Sequence, residues 1–185
     1  MSRLSLSVNI FLQLGLSVLF ISLFAQLQIT LNLNETGIPI TGQTFAVLLV
    51  GALLGRKWGP LAVALYLLVG GLGLPVFAKG ASGWAVFGKG SGGYLYGFVL
   101  GAFIAGMLAD WGWGKSYGKG FLLQLLGTLA IMAFGLAQLT VLYGWSKAVE
   151  YGFRPFWIGA IIKIILGTLA LKLYCDWMDT NRVDW

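Results

Sequence analysis

The chain consists largely of long apolar stretches interrupted by few charges. The first of these, Leu4 to Ile29, holds no charged residue and exceeds the roughly 20 residues that cross a bilayer as a helix. Of the 185 residues, 58% are hydrophobic and only 10% are charged. A soluble domain of this size exposes too much surface to hide so many apolar side chains. We therefore expect an all-α, polytopic membrane protein, and we exclude a soluble enzyme, a disordered chain and a nucleic-acid-binding protein.

Six stretches predict transmembrane helices within a single membrane domain, residues 1–185. Gly37, Pro39 and Gly42 interrupt the approach to the second helix, which therefore begins near Gln43 and is short. The first stretch is interpreted as a retained helix, because its apolar run is longer than that of a cleaved signal peptide. The predicted spans are residues 4–29, 43–55, 60–75, 94–109, 121–143 and 155–174.

The distribution of basic residues predicts the orientation of the chain. Lys and Arg near helix ends are more frequent on the cytoplasmic side of a membrane. With a cytoplasmic N-terminus, the inner loops and ends hold the larger set, which is Arg3, Arg56, Lys57, Lys115, Lys119, Lys172 and Arg182. The outer loops hold the smaller set, Lys79, Lys89, Lys147 and Arg154. This bias predicts that both termini are cytoplasmic in a multi-pass protein of the plasma membrane.

A Gly-rich segment, residues 79–94, is the most informative part of the sequence. Its glycines allow the backbone to approach a ligand closely and to present N–H groups to an anion. Lys79 and Lys89 add positive charge, while Trp84 and Tyr94 supply flat apolar walls with polar tips. A small, partly apolar organic anion entering from outside would fit this segment. The alternative is a flexible outer loop whose aromatic residues belong to the membrane interface.

Lys163 is the one charged residue placed well inside a predicted span, since Lys172 lies close to the inner end of the last one. It follows Pro155 by eight residues, which places it roughly 12 Å along the helix. No acidic residue of the sequence lies in any predicted span, so the partner of this lysine could be a ligand oxygen. The alternatives are a lysine that extends to the outer surface or one that donates to loop carbonyl groups.

The sequence offers no recognisable site for a nucleotide or a metal. The spacing Gly88-x-Gly90-x-x-Gly93 matches a dinucleotide motif but lacks the preceding strand that gives the motif its meaning. The chain has no His and one Cys, which removes the usual metal-ligand clusters. We therefore expect no cofactor, and energy for any transport would come from a partner or a gradient.

Four motifs stand out, which are residues 39–55 (PITGQTFAVLLVGALLG), 73–77 (GLPVF), 92–94 (GGY) and 155–163 (PFWIGAIIK). Together, they resemble the BioY family, the biotin-specific substrate-capture subunits of energy-coupling factor (ECF) transporters. The resemblance covers nearly the whole chain. It implies a fold of six membrane helices, with the vitamin bound near the outer face beneath the loops after helices 1 and 3. It also implies a transmembrane coupling subunit and ATPase subunits as partners.

The resemblance also implies roles for individual residues. Lys163 would hydrogen-bond the ureido ring or a covering loop, and Trp84 and Tyr94 would pack on the fused rings and the valeryl chain. Many family members carry Asp three residues before this lysine, where this chain has Ala160, so one ureido N–H contact has no assigned partner. The predicted substrate-binding set is Lys163, Gln43, Thr44, Ser82, Gly83, Trp84, Ser91, Gly92, Gly93, Tyr94, Lys79 and Lys89.

Two other functions compete with biotin capture. A small membrane enzyme resembling an acyltransferase would need a general base or a nucleophile near the Gly-rich segment, and that segment contains no His, Asp, Glu or Cys. A passive facilitator for a small organic anion would need no such group. We expect a protein that is not an enzyme and whose partners are biotin, membrane lipid and the ECF subunits, without nucleic acid.

Overall fold

A computed structural model describes residues 10–29 and 40–181. The bundle is helical apart from a two-stranded antiparallel ladder, in which Gln28 pairs with Thr41 and Ile29 with Ile40. Its elements are α1 (Ile10–Gln26), β1 (Gln28–Ile29), β2 (Ile40–Thr41), α2 (Gln43–Gly71), α3 (Gly92–Asp110), α4 (Tyr117–Tyr143), α5 (Trp145–Ala148) and α6 (Trp157–Thr180). Short 3₁₀ turns occur at Ala78–Gly80, Trp84–Gly88 and Trp113–Lys115, and a π-helical turn at Val149–Phe153.

Helix α2 is a helical hairpin whose two halves run antiparallel. The chain reverses at Gly55, whose φ of 75° and ψ of 179° lie outside the helical region and are readily adopted by glycine. Gly59, after the reversal, lies against Gly51, before it, since a Cβ at Gly59 would lie 2.7 Å from the Cα of Gly51. The two halves of the hairpin are therefore in close contact. The Asp110 carboxylate accepts the backbone N–H of Arg56 at 3.3 Å, which satisfies a donor at the start of the second half.

The helices have the length and composition of membrane spans. Four of them, α2, α3, α4 and α6, are long and apolar enough to cross a bilayer, and α1 is a shorter apolar helix. Helix α6 leaves one face uncovered by the rest of the bundle, including Ile161, Ile162 and Ile165, which are each about half exposed. Apolar side chains on the outside of a bundle are suited to lipid. The chain is thus a multi-pass membrane protein, and residues 4–9 of the first predicted span lie outside the described residues.

Glycine contacts hold the central helices together. A Cβ at Gly51 would lie 2.5 Å from the carbonyl oxygen of Ala102, so α2 and α3 meet backbone to backbone. On the next face of α3, a Cβ at Gly97 would lie 2.8 Å from the Cα of Ile131 on α4. Small residues at such positions let helices approach closely in lipid, where van der Waals contact drives association.

Connecting segments converge at one end of the bundle. Gln26, the last residue of α1, donates its Nε2 to the carbonyl oxygen of Phe77 at 3.0 Å and accepts the N–H of Gly80 at 3.3 Å. Gln138 of α4 donates its Nε2 to the carbonyl oxygens of Phe87 at 2.9 Å and Lys89 at 2.7 Å. These two glutamine side chains fix the Gly-rich segment over the helix ends.

Candidate ligand-binding site

A cavity of about 330 Å³ lies beneath the Gly-rich segment, within the roughly 300–1,000 Å³ typical of small-molecule sites. Its walls come from the start of α2, the Gly-rich segment and the facing sides of α3, α4 and α6. The apolar part of the lining includes Phe77, Val86, Leu95, Phe98, Ile131, Met132 and Phe156. The polar part consists of Thr41, Gln43, Thr44, Lys79, Lys89, Ser91, Tyr94, Thr128 and Lys163.

Lys163 reaches the cavity from α6. Its Nζ donates a hydrogen bond to the carbonyl oxygen of Thr41 at 3.1 Å, and its side chain is partly buried. Lys163 thus donates to a backbone carbonyl group, here one in the short strand β2, and the same ammonium group also lines the cavity. Its contact with a ligand stays a prediction. An ammonium group carries three N–H donors, so one hydrogen bond to Thr41 leaves capacity for a ligand.

A chain of hydrogen bonds connects this end of the cavity to the Gly-rich side. The Thr41 hydroxyl donates to Oε1 of Gln43 at 3.0 Å, and Nε2 of Gln43 donates to the hydroxyl of Tyr66 at 2.6 Å. The Tyr66 hydroxyl donates in turn to the carbonyl oxygen of Val76 at 3.1 Å. Tyr66 is fully buried, so its two hydrogen bonds are shielded from water, and the network joins the start of α2 to the segment before the Gly-rich turn.

Replacing Tyr66 with Phe should loosen this network. The change removes the acceptor for Gln43 and the donor to Val76, and it leaves buried polar groups unpaired at a cost of about 1–3 kcal/mol each. We expect Tyr66→Phe to lower the melting temperature and to weaken ligand binding about tenfold. The matched control is Tyr96→Phe, at a half-exposed tyrosine, and it should leave both quantities unchanged. Equal melting temperatures and affinities for the two variants would contradict the assigned role.

Aromatic residues close another wall of the cavity. The Tyr94 hydroxyl donates to the carbonyl oxygen of Gly152 at 2.8 Å, tying α3 to the π-helical turn. The Tyr94 ring stacks on Phe156 with a centroid distance of 5.8 Å and an interplanar angle of 24°. A methyl group at Gly135 would overlap the Tyr94 ring, so this glycine on α4 makes room for the tyrosine.

The lining of the cavity is electropositive. Lys79, Lys89 and Lys163 line it, and no acidic residue does so within the part of the chain that the structure describes. Lys79 adopts a left-handed backbone conformation, with φ 60°, which is uncommon for a residue with a side chain. Such conformations persist where surrounding structure enforces them, and they cluster at binding sites. This arrangement suits a partly apolar ligand that carries a negative charge.

The structure brings most of the predicted substrate-binding residues to the cavity and leaves some outside its lining. Lining residues are Gln43, Thr44, Lys79, Lys89, Ser91, Tyr94 and Lys163. Ser82, Gly83, Trp84, Gly92 and Gly93 do not line it, so their contact with a ligand stays a prediction. Trp84 is 58% exposed, and its ring covers Gly71, where a Cβ would lie 2.8 Å from it.

Sequence reasoning missed the contribution of α4. Thr128, Ile131 and Met132 line the cavity from the middle of this helix. They follow one another at the spacing of a single helix face. Only their position opposite the Gly-rich segment distinguishes them from other apolar-face residues, and no local pattern carries that information.

The fold and the cavity define a multi-pass membrane protein with a cavity of small-molecule size beneath the Gly-rich segment. A family model described as "BioY family" matches residues 1–179. The chain belongs to the BioY family.

Individual relatives agree with this assignment. The chain is 39% identical over 142 residues to the biotin transporter BioY of Thermotoga maritima, covering 74% of this chain and 80% of the relative. It is 36% identical to biotin transporter BioY2 of Lactococcus lactis, covering 78% and 81%. A crystal structure of the S-component for biotin from an ECF-type ABC transporter superposes with a TM-score of 0.80, covering 90% of each chain. At 24% identity, this last similarity concerns the fold.

Proposed function

We propose that this chain captures biotin and serves as the substrate-binding subunit of an ECF-type transporter. The observation that carries the proposal is a largely apolar cavity lining that also holds three lysines from different elements, Lys163 on α6 and Lys79 and Lys89 on the Gly-rich segment. Biotin has a matching arrangement, since a cyclic urea and a carboxylate flank an apolar ring and chain. The names of the curated relatives support the same ligand.

The lining suggests how biotin would lie. Lys163 and the Thr44 hydroxyl would meet the urea, because both are polar groups of helices at the base of the cavity. Tyr94, Phe156 and Ile131 would enclose the ring and the valeryl chain. Such a buried pocket with a few fixed polar groups is the arrangement that holds small ligands tightly.

Transport requires partners and a second state of the site. We propose six spans, formed by α1, the two halves of α2, α3, α4 and α6, with both termini in the cytoplasm and the protein in the plasma membrane. A transmembrane coupling subunit and ATPase subunits would supply the energy.

Release of the ligand must involve a second conformation of the cavity. A ligand that binds two conformations with equal affinity does not shift the equilibrium between them. The clamps by Gln26 and Gln138 on the Gly-rich segment are the contacts that such a change would have to break.

An uptake experiment tests this proposal. Cells that lack biotin synthesis and uptake would express the chain with an active coupling module, with an ATPase-dead module or with none. We expect accumulation of labelled biotin with the active module and loss of it with the dead one. Equally fast biotin flux through liposomes that contain this chain alone would support a passive facilitator and contradict the proposal.

The lysines of the Gly-rich segment should recognise the carboxylate of biotin. We expect Lys79→Met or Lys89→Met to weaken biotin binding about tenfold, the size of one charge-assisted hydrogen bond. Biotinamide, which lacks the charge, should bind the same variant and the wild type equally well. The measurement is titration of each purified variant with both ligands. If both variants lose the same factor for biotin and biotinamide, neither lysine binds the carboxylate.

A further inference from the structure

A buried glutamine lies behind the cavity on α4. Gln124 is completely inaccessible to solvent, and neither Oε1 nor Nε2 of its amide has a hydrogen-bond partner among the described residues. An unpaired amide in a protein interior is costly and requires a reason. A methyl group at Gly167 of α6 would lie 2.7 Å from the Cδ of Gln124. The absence of a side chain at Gly167 therefore creates the space that the amide fills.

Gln124 borders a narrow crevice that adjoins the ligand cavity. Thr44, Thr128, Ala160 and Lys163 line both the crevice and the cavity, so these side chains lie between the amide and the ligand space. Gln124 itself does not line the cavity, and the crevice is too narrow for a water molecule. The smallest of the four is Ala160. The Thr44 hydroxyl is also buried without a partner in the described part of the chain. Unpaired donors and acceptors thus gather beside Lys163, at one end of the cavity.

This end of the cavity offers a ligand that carries N–H groups few hydrogen-bond acceptors besides the hydroxyls of Thr44 and Thr128. The ammonium group of Lys163 can only donate, and Ala160 offers no polar atom. The Oε1 of Gln43 already accepts from Thr41. The Oε1 of Gln124 is an uncommitted amide acceptor bordering the same side chains.

We propose that Gln124 is a specificity-determining residue that pairs with the cyclic urea of the ligand. Its Oε1 accepts a ring N–H, and its Nε2 donates to the urea carbonyl oxygen, in two parallel hydrogen bonds. A primary amide and one edge of a cyclic urea are complementary in this manner, because each presents a donor beside an acceptor. Because Gln124 lies behind the lining of the cavity, the pairing requires the intervening side chains to move aside when the ligand binds. Ala160, the smallest of them, leaves the shortest obstruction on that path. This inference rests on the proposed binding of biotin and adds a residue that recognises the urea ring through hydrogen bonds.

The test replaces Gln124 with Leu, which keeps the volume and removes the polar atoms. Purified wild type and Gln124→Leu would each be titrated with three ligands. These are biotin, iminobiotin, in which an imino group replaces the oxygen of the ring carbonyl, and biotinamide, whose ring is that of biotin. We expect Gln124→Leu to bind biotin and biotinamide about 30-fold more weakly and to lose less affinity for iminobiotin, so that the preference for biotin over iminobiotin decreases. Its ligand-free melting temperature should rise, since no unpaired amide remains in the interior.

Several results would overturn the inference. One is a Gln124→Leu protein that binds biotin within threefold of wild type, and another is an equal loss for all three ligands. Gln124→Met repeats the test with an unbranched side chain, and failure of both variants to fold would assign the amide a structural role instead. If wild type binds none of the ligands, the proposed function fails together with this inference. If wild type binds biotin and the preference is unchanged in the variants, only this inference fails.

Discussion

Lys163→Met is expected to weaken biotin binding by about 100-fold, which corresponds to roughly 2.7 kcal/mol. Hydrogen bonds to charged groups contribute about 1.5–3 kcal/mol. The substitution removes both the proposed hydrogen bond to the ligand and the one to Thr41. The bond to the carbonyl oxygen of Thr41 joins α6 to the start of α2, so the variant also loosens the base of the cavity. Titration calorimetry of the purified variant measures the effect.

The matched control for this prediction is Lys147→Met. Lys147 lies in α5 and is exposed, so its removal changes the net charge of the protein equally without touching the cavity. We expect the control to bind biotin as wild type does. If Lys163→Met retains affinity within threefold of wild type, Lys163 is not a ligand-binding residue.

The largest effect on stability is expected at the contact between α2 and α3. In Gly51→Ala, the new methyl group would lie 2.5 Å from the carbonyl oxygen and 2.8 Å from the Cα of Ala102. In Gly106→Ala, it would lie 2.5 Å from the carbonyl carbon of Gly55. The obstructing atoms belong to backbone and cannot rotate away, so whole helices must move apart. Overpacking of this kind costs about 1–3 kcal/mol or more.

We therefore expect both variants to melt at clearly lower temperatures in detergent or to fail to fold, while Gly118→Ala serves as the matched control. Gly118 lies in the first turn of α4 with no other atom within 4 Å of an added Cβ. Alanine also has the higher helix propensity, so the control should be as stable as wild type or slightly more stable. Unchanged melting temperatures for Gly51→Ala and Gly106→Ala would contradict the close approach of these helices.

Much of the fold can be predicted from the sequence because a bilayer accepts few structures. Length and hydropathy alone located the helices that the structure describes as α2, α3, α4 and α6. Lys163 stood out because charge is rare inside a span, and the Gly-rich segment because of its unusual composition. These are local signals, and the structure places Lys163, Lys79 and Lys89 around one cavity.

The remaining features depend on tertiary structure. The bond between Gln43 and Tyr66 joins residues on the two halves of the α2 hairpin, and only the reversal at Gly55 brings them together. Trp84 lies on the outside of the Gly-rich segment because its ring packs directly on the backbone at Gly71, and this contact cannot be read from the linear sequence. In the sequence, Gln124 resembles any other polar residue in a predicted span. The structure distinguishes it by placing Gly167 of α6 opposite its amide.

Calorimetric titration of the purified wild-type chain with biotin tests the central claim most directly. A clamped cavity of about 330 Å³ with three lysines in its lining should bind one biotin per chain. The expected Kd is below about 10 μM, equivalent to roughly −7 kcal/mol. A titration without saturable heat, or a Kd above that value, would contradict capture of biotin by this protein.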